Sequence, residues 1–183
     1  AYRYGVPIFV GAVQDGSIFL NIVKLKRLLG SEFKLEIDVN DDVFEMGAMQ
    51  HHCFGTLKKP MAVWILGGGV PKNYTLQGEP LLDQILGVPT TGFDIDVQFC
   101  VDPVDNGALS SCPAGEGHTW GKVSAESVAT GSVYVHCDVT AVFPWLTYAL
   151  LSDPTIHRKP RRLYDARKAA VQTLQREIDK RKK

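Results

Sequence analysis

The 183-residue sequence predicts an α/β fold with a mostly parallel central sheet, and three observations carry that expectation. The run Met61-Ala62-Val63-Trp64-Ile65-Leu66 is short, continuous and apolar, the pattern of a strand buried on both faces of a parallel sheet. Strand-like runs alternate along the chain with stretches of helical spacing, as in βαβ units. Three glycines, Gly67-Gly68-Gly69, end the apolar strand and lead into one of those helical stretches.

The elements follow in order. Val6-Pro7-Ile8-Phe9-Val10 reads as a buried first strand. Gln14-Asp15-Gly16-Ser17 is turn chemistry, and Ile18, Ile22, Leu25 and Leu29 mark a helix closed by Gly30. Lys34-Leu35-Glu36-Ile37-Asp38-Val39 alternates like a strand. Asn40, Asp41 and Asp42 then offer N-caps for a helix to about residue 55. Beyond the glycines come a helix over about residues 71–85 and a strand over 93–101 with acidic alternate positions. A long polar loop over 102–117 follows, then a short segment at Trp120, a strand over 133–135 and a helix over 139–151. Leu163, Ala166, Ala170, Leu174 and Ile178 share one stripe, which predicts an amphipathic helix, docked or facing a partner. The chain thus divides into a body, residues 1–152, and a basic helical tail, residues 153–183.

With 45% hydrophobic and 22% charged residues, and a mean hydropathy of -0.04, the composition is that of an ordinary globular domain. No apolar run approaches the ~20 residues of a membrane span, which excludes an integral membrane protein; membrane and nucleic acid are not among the expected partners. Cys53, Cys100, Cys112 and Cys137 are scattered, which argues against a zinc ribbon or a disulfide scaffold and suits a cytoplasmic location. The net charge of zero is divided: residues 157–183 carry eleven Lys and Arg against three Asp and Glu, leaving the preceding body at -8. An acidic body favours cationic ligands or a basic partner, while the tail reads first as a solvated helix face. The chain opens without Met, almost directly on an apolar run, the pattern expected of a fragment or a processed product.

Four groups are candidates for chemistry. Gly67-Gly68-Gly69, at a strand's C-terminal end, lets a dinucleotide lie against bare backbone, or is simply a tight turn. The loop 102–117, rich in Asp, Gly and Ser, lies beyond a strand end, where open α/β sheets bind ligands. In Trp120-Gly121-Lys122 a lysine beside an indole has the setting of a Schiff-base amine, although most lysines are solvated surface residues. His51-His52-Cys53 is read as structural, because adjacent helical histidines face apart and cannot chelate one ion; no metal is expected.

Several of these segments, in order and at matching spacing, resemble the C-terminal half of the deoxyhypusine synthase family. They are Val13-Gln14-Asp15-Gly16-Ser17, Trp64-Ile65-Leu66-Gly67-Gly68-Gly69-Val70-Pro71-Lys72-Asn73 and Asn106-Gly107-Ala108-Leu109-Ser110-Ser111. Glu116, Trp120-Gly121-Lys122-Val123, Cys137-Asp138 and Val142-Phe143-Pro144 continue the set. The resemblance implies a Rossmann-like NAD-binding fold, a tetramer, homo- or hetero-oligomeric, with sites at subunit interfaces, and an aminobutyl transfer. Spermidine gives a hydride to NAD, diaminopropane leaves, and the butyl imine passes to an enzyme lysine. It then moves to one lysine of the hypusine-containing translation factor, where the hydride returns.

Carried over by position, Lys122 is the covalent lysine, Trp120 a wall of the polyamine slot and Glu116 a carboxylate holding an ammonium. Asn73 joins the substrate site, where the eukaryotic enzyme has a histidine. Asp15, Asp138, Asn106, Gly67, Gly68 and Gly69 fall to the nucleotide. Two further polyamine-binding aspartates of the family fall at Leu20 and Leu109, and the segments Pro71-Lys72-Asn73 and Gly107-Ala108-Leu109-Ser110-Ser111 resemble the deoxyhypusine-synthase-like branch more closely. Three readings follow: a deoxyhypusine synthase, a homospermidine-synthase-like enzyme acting on a small amine, and a regulatory subunit completing another chain's site. The family's N-terminal half is expected as a separate partner chain.

Overall fold

In a computed structural model of the chain, residues 1–156 and 162–181 are described. Three parallel strands, β1 (Ala62–Leu66), β2 (Ile95–Cys100) and β3 (Ser132–His136), form one sheet in the order β1-β2-β3. Helices connect them, so the α/β class and the parallel pairing are as the sequence predicts. Val63 pairs with Asp96 and Ile65 with Gln98, which puts these four side chains on one face. Trp64 and Leu66 share the other face with Val97 and Phe99.

Helix α1 (Ser17–Leu29) ends at Gly30, whose φ of 54° closes it, as expected. Helix α2 (Val39–His51) starts earlier than the Asn-Asp-Asp run suggests. Asp38 is its cap, accepting the Asn40 and Asp41 amides at 2.9 and 3.1 Å, while Asp41 and Asp42 complement the first turn. After β1, helix α3 (Val70–Leu76) has Pro71 in its first turn and continues through shorter turns, Gly78–Pro80 and Leu81–Ile85. Helix α4 (Ala114–Thr119) interrupts the long loop, α5 (Val139–Ser152) follows β3, and α6 (Arg167–Arg181) closes the chain.

Two expected strands do not form. Residues 6–10 pair with nothing in the sheet and leave Val6, Ile8 and Val10 exposed. Residues 34–38 are also unpaired, and α2 takes over at Val39. An alternating or apolar pattern specifies a strand only where a neighbouring edge offers hydrogen bonds. Nor is β1 buried on both faces: Val63 and Ile65 are buried, whereas Trp64 and Leu66 are 44% and 45% exposed. Trp64 meets the rings of Phe99 and of Phe143 on α5, at 6.4 and 5.7 Å between ring centres.

The core lies on the Val63–Ile65 side. Met61, Val63, Ile65, Leu76 and Phe93 form one cluster, and Ala48, Met49, Leu82, Val88, Ala170 and Leu174 form a second. Phe54 touches both. The tail is docked and not the solvated helix face first expected: Ala170 and Leu174 of the predicted stripe are fully buried against α2, where apolar side chains of both helices meet, and Arg167 pairs with Glu45. Its basic residues Arg158, Lys159, Arg161, Lys182 and Lys183 lie outside the described residues. Among the described residues no helix is long and apolar enough to cross a membrane, and no disulfide links the cysteines.

Glu79, 1% exposed, is the buried carboxyl of this core. Its oxygens lack well-formed hydrogen bonds, with the Thr90 hydroxyl and Gly92 amide alongside, and burial lifts its pKa to about 7. The folded state then holds this proton more tightly than the unfolded chain does. Stability from that proton is present below the unfolded pKa near ~4.3 and is lost as pH rises to about 7, a span worth roughly 3 kcal/mol. Glu79→Gln should thus match the parent at pH 4 and exceed it above pH 7. Urea midpoints from pH 4 to 8 check this, and parallel curves for the two proteins would refute it.

Candidate functional site

Two depressions flank the segment that follows β1. The first is a cavity of about 290 Å³ beside α3 and α4, on the Asp96–Gln98 side of the sheet. Lys122, Trp120, Glu116 and Asn73, distant in sequence, all line it. Lys122 is held by backbone, not by chance packing: its carbonyl accepts the Phe93 amide at 3.0 Å, and Val123 makes a parallel bridge to Phe93. Gly121, with φ of 72°, makes the turn that frees Lys122 from α4. The Lys122 ammonium donates to Asn73 Oδ1 at 2.8 Å and stands 5.7 Å from the Trp120 ring centre. Glu116 sits on α4 and is exposed at the cavity rim. Leu109 supplies apolar wall, while Leu20 lies exposed on α1 and does not line this cavity.

The second depression, about 320 Å³, opens where the three strands end. Gly67, Gly68 and Gly69 form one side, and Asp102, Ser110 and Asp138 lie around it. Gly67 and Gly69 have φ of 90° and 77° with open space where side chains would project. A Cβ on Gly68 would sit 2.7 Å from Ser110 Cα, so only glycine lets the loop 108–112 close over the turn. Asp138 caps α5, and its bonds from the Thr140 hydroxyl and amide hold its carboxyl below the usual range. Asn106 spends its Oδ1 inside its own loop, on the Ala108 amide and the Ser111 hydroxyl. Asp15 is exposed in the turn before α1 and lines neither depression.

The residues that join the two depressions are ones sequence reasoning passed over. Lys72, 7% exposed, donates to Gln98 Oε1 at 2.8 Å and to the Cys112 carbonyl at 2.6 Å. Gln98 in turn donates to the carbonyls of Gly67 and Ser110. Burial pushes the Lys72 ammonium below its ordinary pKa, against opposing pulls from Cys112 and Asp96. Its position one residue before Asn73, and the polar alternation Asp94-Asp96-Gln98 in a buried strand, were the available signals. His51 is buried edge-on to Phe54 at 5.8 Å, and burial lowers its pKa.

These features define a parallel α/β domain with a lysine-bearing cavity beside a glycine-lined cleft at the strand ends. Comparison with known proteins agrees with the resemblance in the sequence. The model of the deoxyhypusine synthase family matches residues 1–150. The chain is 37% identical over 177 residues to a deoxyhypusine synthase-like protein of Nostoc punctiforme, covering 97% of this chain and 44% of that protein. It is 37% identical over 150 residues to a probable deoxyhypusine synthase 2 of Methanosarcina mazei, covering 82% of this chain and 40% of that protein. The chain belongs to the deoxyhypusine synthase family and spans less than half the length of these relatives. The match of 177 residues takes in most of α6, so the docked tail has a counterpart in the Nostoc protein although it lies beyond the family model.

Lys72→Met should leave the Gln98 and Cys112 acceptors unsatisfied and cost roughly 2 to 4 kcal/mol. Hydrogen exchange should quicken at residues 110–113 before it does in β2. Uniform protection in the variant would show that the loop does not depend on this ammonium.

Proposed function

We propose that this chain carries the NAD-dependent aminobutyl-transfer site of a deoxyhypusine synthase-type enzyme, with Lys122 as the covalent lysine. The observation that carries the reading is the convergence of Lys122, Trp120, Asn73 and Glu116 on one cavity next to the triglycine cleft. The cleft suits a dinucleotide, because Gly67 and Gly69 leave bare backbone toward open space and Asp138 stands at the rim. Bound there, NAD supplies a hydride acceptor and later a hydride donor.

The chain's own residues do the rest. Asn73 accepts a hydrogen from Lys122 Nζ, which orients the amine and leaves a lone pair for attack once the amine is neutral. In this reading Lys122 attacks the oxidised carbon of spermidine, diaminopropane departs with the broken C–N bond, and an imine joins Lys122 to the aminobutyl group. An acceptor amine then displaces Lys122, and the returned hydride leaves a secondary amine, so the overall transfer is redox-neutral. Trp120 shields the imine from water, and Glu116 steadies an ammonium of the substrate at the rim. The acceptor is the lysine of the hypusine-type translation factor. A small amine is the second reading, favoured by the apolar wall that Leu109 presents.

Incubation with NAD and labelled spermidine should place label on the translation factor; label on putrescine would select the second reading. Borohydride should trap a butylamine adduct on the peptide containing Lys122, and Lys122→Arg should lower transfer by at least about a thousandfold, since guanidinium stays protonated. An adduct elsewhere, or transfer by the arginine variant at the parent rate, overturns the assignment.

The same reading includes a tetramer with companion polypeptide. Its support is apolar surface: Ile18, Leu20 and Leu28 of α1 and Trp145, Tyr148 and Leu151 of α5 are each more than 60% exposed. Gel filtration with intact mass measurement of the isolated protein should find a larger assembly. A monodisperse 20.2 kDa species would remove this part of the reading.

A further inference from the structure

Asp96 is the one charged side chain lining the lysine-bearing cavity with no part in the reading above or in the loop network. It lies on β2, two residues before Gln98 and on the same face. The residue is 6% exposed, and its carboxylate accepts no hydrogen bond from a described residue. Lys72 is its charged neighbour, yet the Lys72 ammonium is spent on Gln98 and the Cys112 carbonyl, and the two make no ion pair within 4 Å. Burial pushes the Asp96 carboxyl up, and the Lys72 charge opposes this.

Solid packing does not surround it either. Asp96 also lines a second space of about 230 Å³ behind residues 113–115. A buried carboxyl that faces open space and takes no hydrogen bond from a described residue calls for a donor. Glu116 is exposed at the rim of the same cavity, so two anions serve it at different depths. Leu76, Leu109, Val123 and Trp120 give the intervening wall an apolar character that suits a methylene chain.

We propose that Asp96 binds the second ammonium of a diamine or polyamine in this cavity and so selects dications over monoamines. The proposal rests on the amine-transfer reading and names its specificity residue. Glu116 alone, in water, holds an ammonium weakly. A carboxylate that is itself buried makes a stronger, charge-assisted bond and rejects a methyl group in its place. Binding, not chemistry, is the step that Asp96 governs.

Calorimetric titration with 1,4-diaminobutane and with n-butylamine tests this on the protein as isolated, with any companion chain. The parent should bind the diamine at least about tenfold more tightly than the monoamine. Asp96→Asn should bring the two to near parity while leaving butylamine affinity unchanged within about twofold. If the parent prefers the diamine and the variant keeps that preference, Asp96 only balances Lys72 and the proposal fails, although the amine-transfer reading stands. If the parent binds neither amine, the amine reading itself fails and takes the proposal with it. Should the variant not fold, the parent's structure with 1,4-diaminobutane decides: an ammonium hydrogen-bonded to Asp96 supports the assignment, and ammonium contacts at Glu116 alone overturn it.

Discussion

One buried cation sets the architecture of the site. Lys72 leaves α3, crosses to the sheet and ties Gln98 of β2 to the Cys112 carbonyl of the long loop. Gln98 passes the tie to Gly67 at the end of β1 and to Ser110. The loop is thereby drawn down on Gly68, and only the missing side chain there gives it room. A charged group out of water is tolerated because each of these contacts is charge-assisted or belongs to a connected network. The consequence is geometric: loop residues face the lysine-bearing cavity on one side and the strand-end cleft on the other.

The domain is unevenly covered. Below the sheet, Val63 and Ile65 pack with Leu76 of α3, and Phe54 links that cluster to the one α2 shares with α6. Above it, Trp64 and Leu66 are half exposed, and α1 carries an apolar stripe with no buried residue. Exposed apolar surface of this extent is characteristic of an interface. The site, by contrast, sits on the well-covered face, where Asp96 belongs to the interior strand β2 and Lys122 is held by backbone pairing to Phe93, just before that strand. Residues that need precise placement are thus on the rigid part of the chain.

Residue patterns were sufficient for much of this. The parallel α/β class followed from apolar runs alternating with helical spacing, and the amphipathic stripe through Ala170 and Leu174 correctly marked a buried helix face. Spacing alone left Lys122 an ordinary surface lysine; the family resemblance singled it out with Glu116 and Trp120, and the fold brings all three to one cavity. Strand formation at residues 6–10 and 34–38 was not legible, since pairing depends on an edge elsewhere and not on the segment's own pattern. Asp15, named on motif alone, stands apart from both depressions.

The sequence by itself determined the class of fold and the family, and it marked Glu116, Trp120 and Lys122 as near neighbours. Periodicity and local motif are properties of neighbouring residues, and they survive without knowledge of what packs against them. The resemblance put Asn73 and Lys122 in one site, but only the tertiary structure decided that they are hydrogen-bonded across 49 positions, that Lys72 and Gln98 organise the loop, and that Asp96 faces the same cavity. Those facts arise where chain segments cross. The burial that gives Lys72 and Asp96 their character comes from residues far away in sequence, whose arrival no local pattern encodes.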